Sequence, residues 1–176
     1  HNHPGSVHFI TDVRTGQPGG SDEANGGDAA VALCYGTDGA LTESMGGASI
    51  SAEFTDRWRT PGDPASKQWE ERFGEYAYAP LAQAAITRAL ASAGLAAADI
   101  DHAIVAGPHT RAVNGVAKGA GFRPETVVDN LAATVGNSGA AQWGLMLCSV
   151  LDRAAPGQTI CVVSLADGCD VWIMRT

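Results

Sequence analysis

The spacing of hydrophobic positions changes along the chain. Val7–Thr11 has the length and spacing of a short strand, and Ala29–Tyr35 forms a second, continuous apolar run. An apolar run of that length is consistent with a buried strand. Between the two, residues 15–27 are rich in Gly, Pro, Asp and Asn and predict a loop. Gly36-Thr37-Asp38-Gly39 predicts a turn, and Leu41–Phe54 a second, antiparallel strand broken near Gly46-Gly47. Residues 55–74 mix Trp58, Trp69 and Phe73 with charges and prolines. That mixture predicts an irregular excursion with a short helix, its aromatics either anchoring the loop to the core or forming a ligand surface.

From Pro80 the period becomes helical. Leu81, Ala85, Ile86, Ala89, Leu90 and Ala93 share one stripe, with Gln83, Thr87 and Arg88 opposite and Gly94 at a C-cap position. Ala103–Ala106 predicts a strand, Thr110 to about Ala120 a helix, and Thr126–Val128 a short strand. Ser138–Arg153 differs, because apolar side chains cover nearly its whole circumference. A helix of that kind is buried on all sides, which in a soluble protein of this size places it between two sheets. Thr159–Leu165 and Val171–Met174 predict the closing strands around a tight loop at Ala166–Asp170. The alternation predicts an α/β fold, with a mixed sheet and parallel crossovers.

The chain has 176 residues, enough for one domain with a real core. Its net charge of −8 argues against a nucleic-acid partner or an anionic membrane surface. The charge is uneven: no acidic residue lies between Asp101 and Glu125, a stretch that carries Arg111, Lys118 and Arg123. This local basic patch fits either the phosphates of an anionic ligand or a solvated helix face. Cys34, Cys148, Cys161 and Cys169 form no CxxC pair, which excludes a disulfide framework and a zinc site and predicts reduced, cytoplasmic thiols. The first three read as core thiols, and no basic neighbour or helix start beside Cys169 favours a thiolate. No run approaches the roughly 20 apolar residues of a membrane span, and no signal peptide is visible. The first residue is not Met, so a processed or truncated product is expected.

Two loop-to-helix junctions carry the candidate chemistry. Gly107-Pro108-His109-Thr110-Arg111 and Val135-Gly136-Asn137-Ser138-Gly139 each follow an apolar run and open a helix. If both lie at one sheet edge, His109 can serve as acid/base or oxyanion donor and Asn137 as a second donor. The structural alternatives are a surface-loop histidine, with Thr110 as N-cap, and an N-cap asparagine. Gly168 offers a backbone N–H to the same oxyanion, or is simply a turn glycine. His1, His3, His8 and His102 read as surface or terminal residues. No GxSxG, GxGxxG or Walker spacing is present.

These junctions, with Gly27-Asp28-Ala29-Ala30-Val31-Ala32, Asp56-Arg57-Trp58-Arg59, Val116-Ala117-Lys118-Gly119-Ala120-Gly121-Phe122 and Pro156-Gly157-Gln158, resemble the thiolase superfamily. The resemblance is to the C-terminal half of its hydroxymethylglutaryl-CoA synthase and β-ketoacyl synthase III branch. It implies a layered fold whose second βαβαβαββ half holds a mixed five-stranded sheet and a buried central helix. Residues 1–40 would be the last strands of the N-terminal half, and residues 41–176 the C-terminal half. It also implies acyl-CoA chemistry: Claisen condensation or cleavage of a coenzyme A thioester, with no covalently bound cofactor. His109 and Asn137 would be the catalytic pair, with Gly168 near the thioester oxygen. Arg111, Lys118 and Arg123 are candidates for the CoA phosphates. The nucleophilic Cys would lie outside this chain. Implied partners are the missing N-terminal half or a separate chain, a second copy in a homodimer, and a small OB-fold protein. The alternatives are a retro-aldol lyase acting on a β-hydroxyacyl-CoA and a non-catalytic scaffold half. The sequence departs from the family pattern at Thr110-Arg111, where Gln or Asn usually follows the histidine. It departs again at Asp167 and Cys169, in a final loop usually richer in glycine.

Overall fold

The structure, a computed structural model, describes residues 5–176, so His1 and His3 lie outside it. The first half contains β1 (Ser6–Asp12), α1 (Ser21–Asn25), β2 (Ala29–Tyr35), β3 (Glu43–Ser51), β4 (Arg57–Trp58), β5 (Lys67–Gln68) and α2 (Glu71–Ala93). The second contains β6 (His102–Ala106), α3 (Thr110–Gly119), α4 (Gln142–Leu151), β7 (Thr159–Leu165) and β8 (Gly168–Arg175). The main sheet is mixed, as expected, in the order β3-β8-β7-β6. β6 and β7 are parallel, while β8 runs antiparallel to both β7 and β3.

Four strands are regular where five were expected. The fifth position, beside β6, is reduced to one parallel bridge from Val127 to Ala103. Pro124 opens a 3-10 turn through Thr126, and the Thr126 hydroxyl bonds back to the Arg123 carbonyl. This leaves too little extended chain for a strand over Thr126–Val128.

α2 and α3 cover one face of the sheet, around a core that includes Ile86, Val105, Val113 and Val163. α4 covers the other face through Met146, Leu147 and Val150, and its far side meets β2 at Val31 and Leu33. The helix predicted to be apolar all round therefore lies between two sheets, the second being the antiparallel pair β1-β2. Its first turn is 3-10, from Gly139 to Ala141.

Four local expectations change. Ala29–Tyr35 is a strand but is largely not buried: only Val31 is fully buried, because α4 covers one side of β2. Cys34 alternates onto the open side and is exposed, so it is not a core thiol. Leu41–Phe54 does not pair with the preceding strand; it yields β3, which joins the main sheet against β8 with an irregularity between Ser44 and Gly46. The helix predicted from Pro80 begins at Glu71. Proline favours a helix start, but Gly74 and Tyr78 extend the buried stripe of Ala82, Ile86 and Ala89 upstream at helical spacing. Pro80 and Tyr76, whose carbonyl loses its helical donor, are both exposed, so water can replace that bond.

Candidate active site

Residues 55–74 are anchored by an aromatic ladder. Trp58 and Trp69 have ring centroids 6.3 Å apart, and Trp69 stacks on Phe73 at 4.6 Å. Phe73 meets Phe54 edge-on at 5.9 Å, and Phe54 meets Tyr78 at 5.2 Å. The anchoring use of these aromatics is thus present, and it carries Asp56 beneath the end of β6.

His109 follows that strand end. Its carbonyl accepts the Val113 N–H, so it caps α3 by its backbone, and Thr110 falls inside the helix rather than at the cap. Its side chain turns inward and is 2% exposed. Nε2 lies 3.0 Å from Asp56 Oδ2, and the same oxygen accepts the Tyr78 hydroxyl at 2.7 Å. Burial, and then the hydrogen bond to Asp56, push the Tyr78 phenol well above its ordinary range, so Tyr78 stays a donor. With Asp56 accepting from both, Nε2–H donates to the carboxylate, and Nδ1 is left as the proton-accepting nitrogen. Gly74 packs on the ring face: a Cβ there would lie 2.7 Å from His109 Cγ.

Asn137 is fixed on three sides. Its Oδ1 accepts from Arg14 Nη1 at 3.2 Å and from the Gly139 N–H at 2.9 Å. Its Nδ2 donates to the Gly107 carbonyl at 3.3 Å, two residues from His109. Its backbone bridges Gly26 and Gly27 ahead of β2, which brings the β1-β2 layer to the end of the main sheet. The local cap role is also real, since the bond to Gly139 satisfies a helix-start N–H.

A cavity of about 460 Å³ opens here, lined in part by Asn137, Gly107, Pro108, Thr110, Arg14 and Arg57. Pro108 and Thr110 face it, whereas His109, between them, points toward Asp56, Tyr78 and Gly74. The structure therefore brings His109 and Asn137 to one sheet end but on different sides of the 107–110 segment. Arg14 and Arg57 converge on Asp22, at 3.5 Å and 2.5 Å. Desolvation raises the Asp22 carboxyl, but the hydrogen bond and charge of Arg57, helped by Arg14, outweigh it and hold the group below 3.8. What this pairing adds to stability is complete at neutral pH and is lost only as the pH falls through that lowered value.

The other sequence candidates scatter. Arg111 lies in the first turn of α3 and is exposed. Lys118 is in the last turn, roughly 10 Å further along the helix axis. Arg123 pairs with Asp101 at 3.5 Å and bonds the Ile100 carbonyl, near the start of β6 and so at the opposite end of that strand from His109. The basic patch read from sequence is not one site, because a helix and a turn separate its members. Gly168 pairs with Ser51 of β3 and does not line the cavity. Asp56, Tyr78 and Arg14 carry the site's hydrogen bonds, and sequence reasoning missed them. Only Asp56 had a signal, in the Asp56-Arg57-Trp58-Arg59 segment.

None of the four cysteines lines the cavity. Burial pushes the Cys161 and Cys169 thiols up to about 12. Native protein treated with iodoacetamide at pH 8 is therefore expected to be alkylated at exposed Cys34 and spared at Cys161 and Cys169. Peptide mass spectrometry checks this, and rapid labelling of Cys169 would reopen it as a nucleophile.

Residues 90–173 match the family described as 3-oxoacyl-[acyl-carrier-protein] synthase III C terminal. The hydroxymethylglutaryl-CoA synthase of Caldivirga maquilingensis is 30% identical over 159 residues, 90% of this chain and 46% of that protein. The synthase of the same name from Methanopyrus kandleri is 29% identical over 158 residues, 89% of this chain and 45% of that protein. The chain thus spans about half the length of the curated relatives it matches. The crystal structure of 3-oxoacyl-(acyl carrier protein) synthase III from Pseudomonas aeruginosa shares the fold, with a TM-score of 0.69 and 21% identity. That match covers 88% of this chain and 51% of that one. These matches support the resemblance to the C-terminal half of thiolase-superfamily condensing enzymes, and the fold is that of the synthase III structure. Among the described residues, no helix is long and apolar enough to cross a membrane.

Proposed function

We propose that these residues form the carbonyl-holding and proton-handling side of a site for Claisen-type condensation of a coenzyme A thioester, or its reverse. Asn137 carries the reading. Its amide is pinned at the wall of the 460 Å³ cavity with Nδ2 turned toward the Gly107 carbonyl. One Nδ2 hydrogen is spent on Gly107, and the second is the donor offered to a thioester oxygen. Condensation places negative charge on that oxygen as the enolate or tetrahedral adduct forms. A donor already aimed at it stabilises the transition state more than the ground state.

Proton transfer is assigned to His109, which lies outside the 460 Å³ cavity on the other side of the 107–110 segment and so acts from that side of the completed site. Asp56 holds Nε2–H, fixes the tautomer and stabilises the imidazolium that forms when Nδ1 takes a proton. The nucleophile that carries the acyl group comes from outside residues 1–176, since no thiol of this chain reaches the cavity. The relatives named as hydroxymethylglutaryl-CoA synthases support the CoA thioester as the substrate class.

The test uses the complete protein carrying these residues, supplied with acetyl-CoA and acetoacetyl-CoA, and follows release of free CoA. Asn137→Ala is expected to lower kcat about 100-fold, the range for loss of one oxyanion donor. An unchanged kcat would remove Asn137 from the chemistry and, with it, this reading of the cavity.

A further inference from the structure

The structure assigns to Arg14 the role of positioning residue for the Asn137 amide, an inference that rests on the proposed role of Asn137. A primary amide can sit in either of two flips, and its neighbours decide which. Here two donors, Arg14 Nη1 and the Gly139 N–H, face one atom, and one acceptor, the Gly107 carbonyl, faces the other. Only the flip with oxygen toward Arg14 satisfies all three. The flipped amide would set its N–H₂ against a guanidinium and its oxygen against a carbonyl. It would also turn an acceptor, rather than a donor, toward the side on which a thioester oxygen must sit.

Arg14 is itself held. Its Nη2 lies 3.5 Å from Asp22, its backbone N–H donates to Asp28 at 2.8 Å, and its side chain is 16% exposed. Asp22 is tied in turn to Arg57, whose other donor reaches Gln68 at 3.3 Å. Arg57 directly follows Asp56, so one dipeptide serves both halves of the site. Asp56 turns inward to His109, while Arg57 turns outward to Asp22 and, through it, to Arg14 and Asn137. This chain of contacts fixes the two polar tips relative to each other across the 107–110 segment that separates them. Arg14 touches the reacting atoms only through Asn137.

The test combines a spectroscopic and a kinetic readout. In ¹⁵N-labelled protein the Asn137 side-chain amide is identified by its loss in Asn137→Asp. Arg14→Met is expected to shift that resonance pair and speed its exchange with water about tenfold, the effect of losing one charge-assisted hydrogen bond. Arg14→Lys keeps a cation beside Asp22 and is expected to restore part of the protection. In the condensation assay with acetyl-CoA and acetoacetyl-CoA, Arg14→Met is expected to lower kcat about tenfold with KM little changed. The double variant Arg14→Met/Asn137→Ala is expected to be no slower than Asn137→Ala alone. An unmoved amide resonance in Arg14→Met, or fully additive losses in the double variant, would overturn the assignment. If Arg14→Met does not fold, Arg14→Lys carries the decision, and an unmoved amide there overturns it equally. A silent Asn137→Ala would instead sink the functional reading, while leaving the amide shift to report on Arg14 alone.

Discussion

His109→Ala is expected to lower thioester condensation by the complete protein at least about 100-fold, within the range for an acid/base group. The reason is positional. The ring is clamped between Asp56, which takes Nε2–H at 3.0 Å, and Gly74, which offers its face no Cβ to collide with. An imidazole held in one tautomer and orientation loses little entropy when it takes a proton. Truncation also removes a donor from Asp56, which is only 7% exposed, so the alanine variant combines lost chemistry with lost stability. His109→Gln separates the two effects. Its amide can still donate toward Asp56 but cannot accept and return a proton, so it is expected to fold and remain as slow as the alanine variant. A near-wild-type rate in His109→Gln, with stability unchanged, would exclude His109 from proton transfer.

The largest effect on stability is expected at Gly168. Its φ of +141° lies in a region that L side chains rarely adopt, and a Cβ there would sit 2.1 Å from the Ile50 carbonyl oxygen on β3. Backbone strain and a clash with a main-chain atom that cannot move independently together predict a loss of about 3–5 kcal/mol for Gly168→Ala. Urea unfolding measures it. A loss below about 1 kcal/mol would show that the β3-β8 edge can shift to admit the methyl group. The result also bears on the reading of Gly168 from sequence. Its glycine identity follows from the close approach of β3 at the turn centred on Asp167, independently of any substrate. A folded Gly168→Ala variant that loses condensation selectively would be needed to give the residue a role in holding the thioester oxygen.

Much of the fold was legible because periodicity reports burial. The stripe from Leu81 to Ala93 marked α2, the run Thr159–Leu165 marked the strand at the centre of the sheet, and the apolar circumference of 138–153 marked a helix covered on both sides. Errors fell where neighbours decide. Ala29–Tyr35 reads as a buried strand, yet α4 covers only one of its faces, and composition cannot say on which side a neighbour will stand. Pro80 signals a start, yet Gly74 and Tyr78 pack well enough against the His109 end of the sheet to carry the helix two turns upstream. Thr126–Val128 has strand-forming residues, but the turn opened by Pro124 uses up the chain needed to pair. The basic cluster Arg111, Lys118 and Arg123 was a statement about sequence proximity, and a ten-residue helix is long enough to divide it between opposite ends of the sheet.

By itself, then, the sequence determined the elements, the α/β alternation and the two polar tips, His109 and Asn137, because each depends on residues within one turn or one strand. Which atoms those tips touch was decided only by the tertiary structure. Asp56 lies 53 residues from His109, and Arg14 lies 123 from Asn137. No local pattern links groups so far apart; they meet because an aromatic ladder fixes the 55–74 excursion and because α4 holds the β1-β2 layer against the end of the main sheet. Hydrogen bonds act over about 3 Å, so the tautomer of the histidine and the flip of the asparagine are set by packing at that distance.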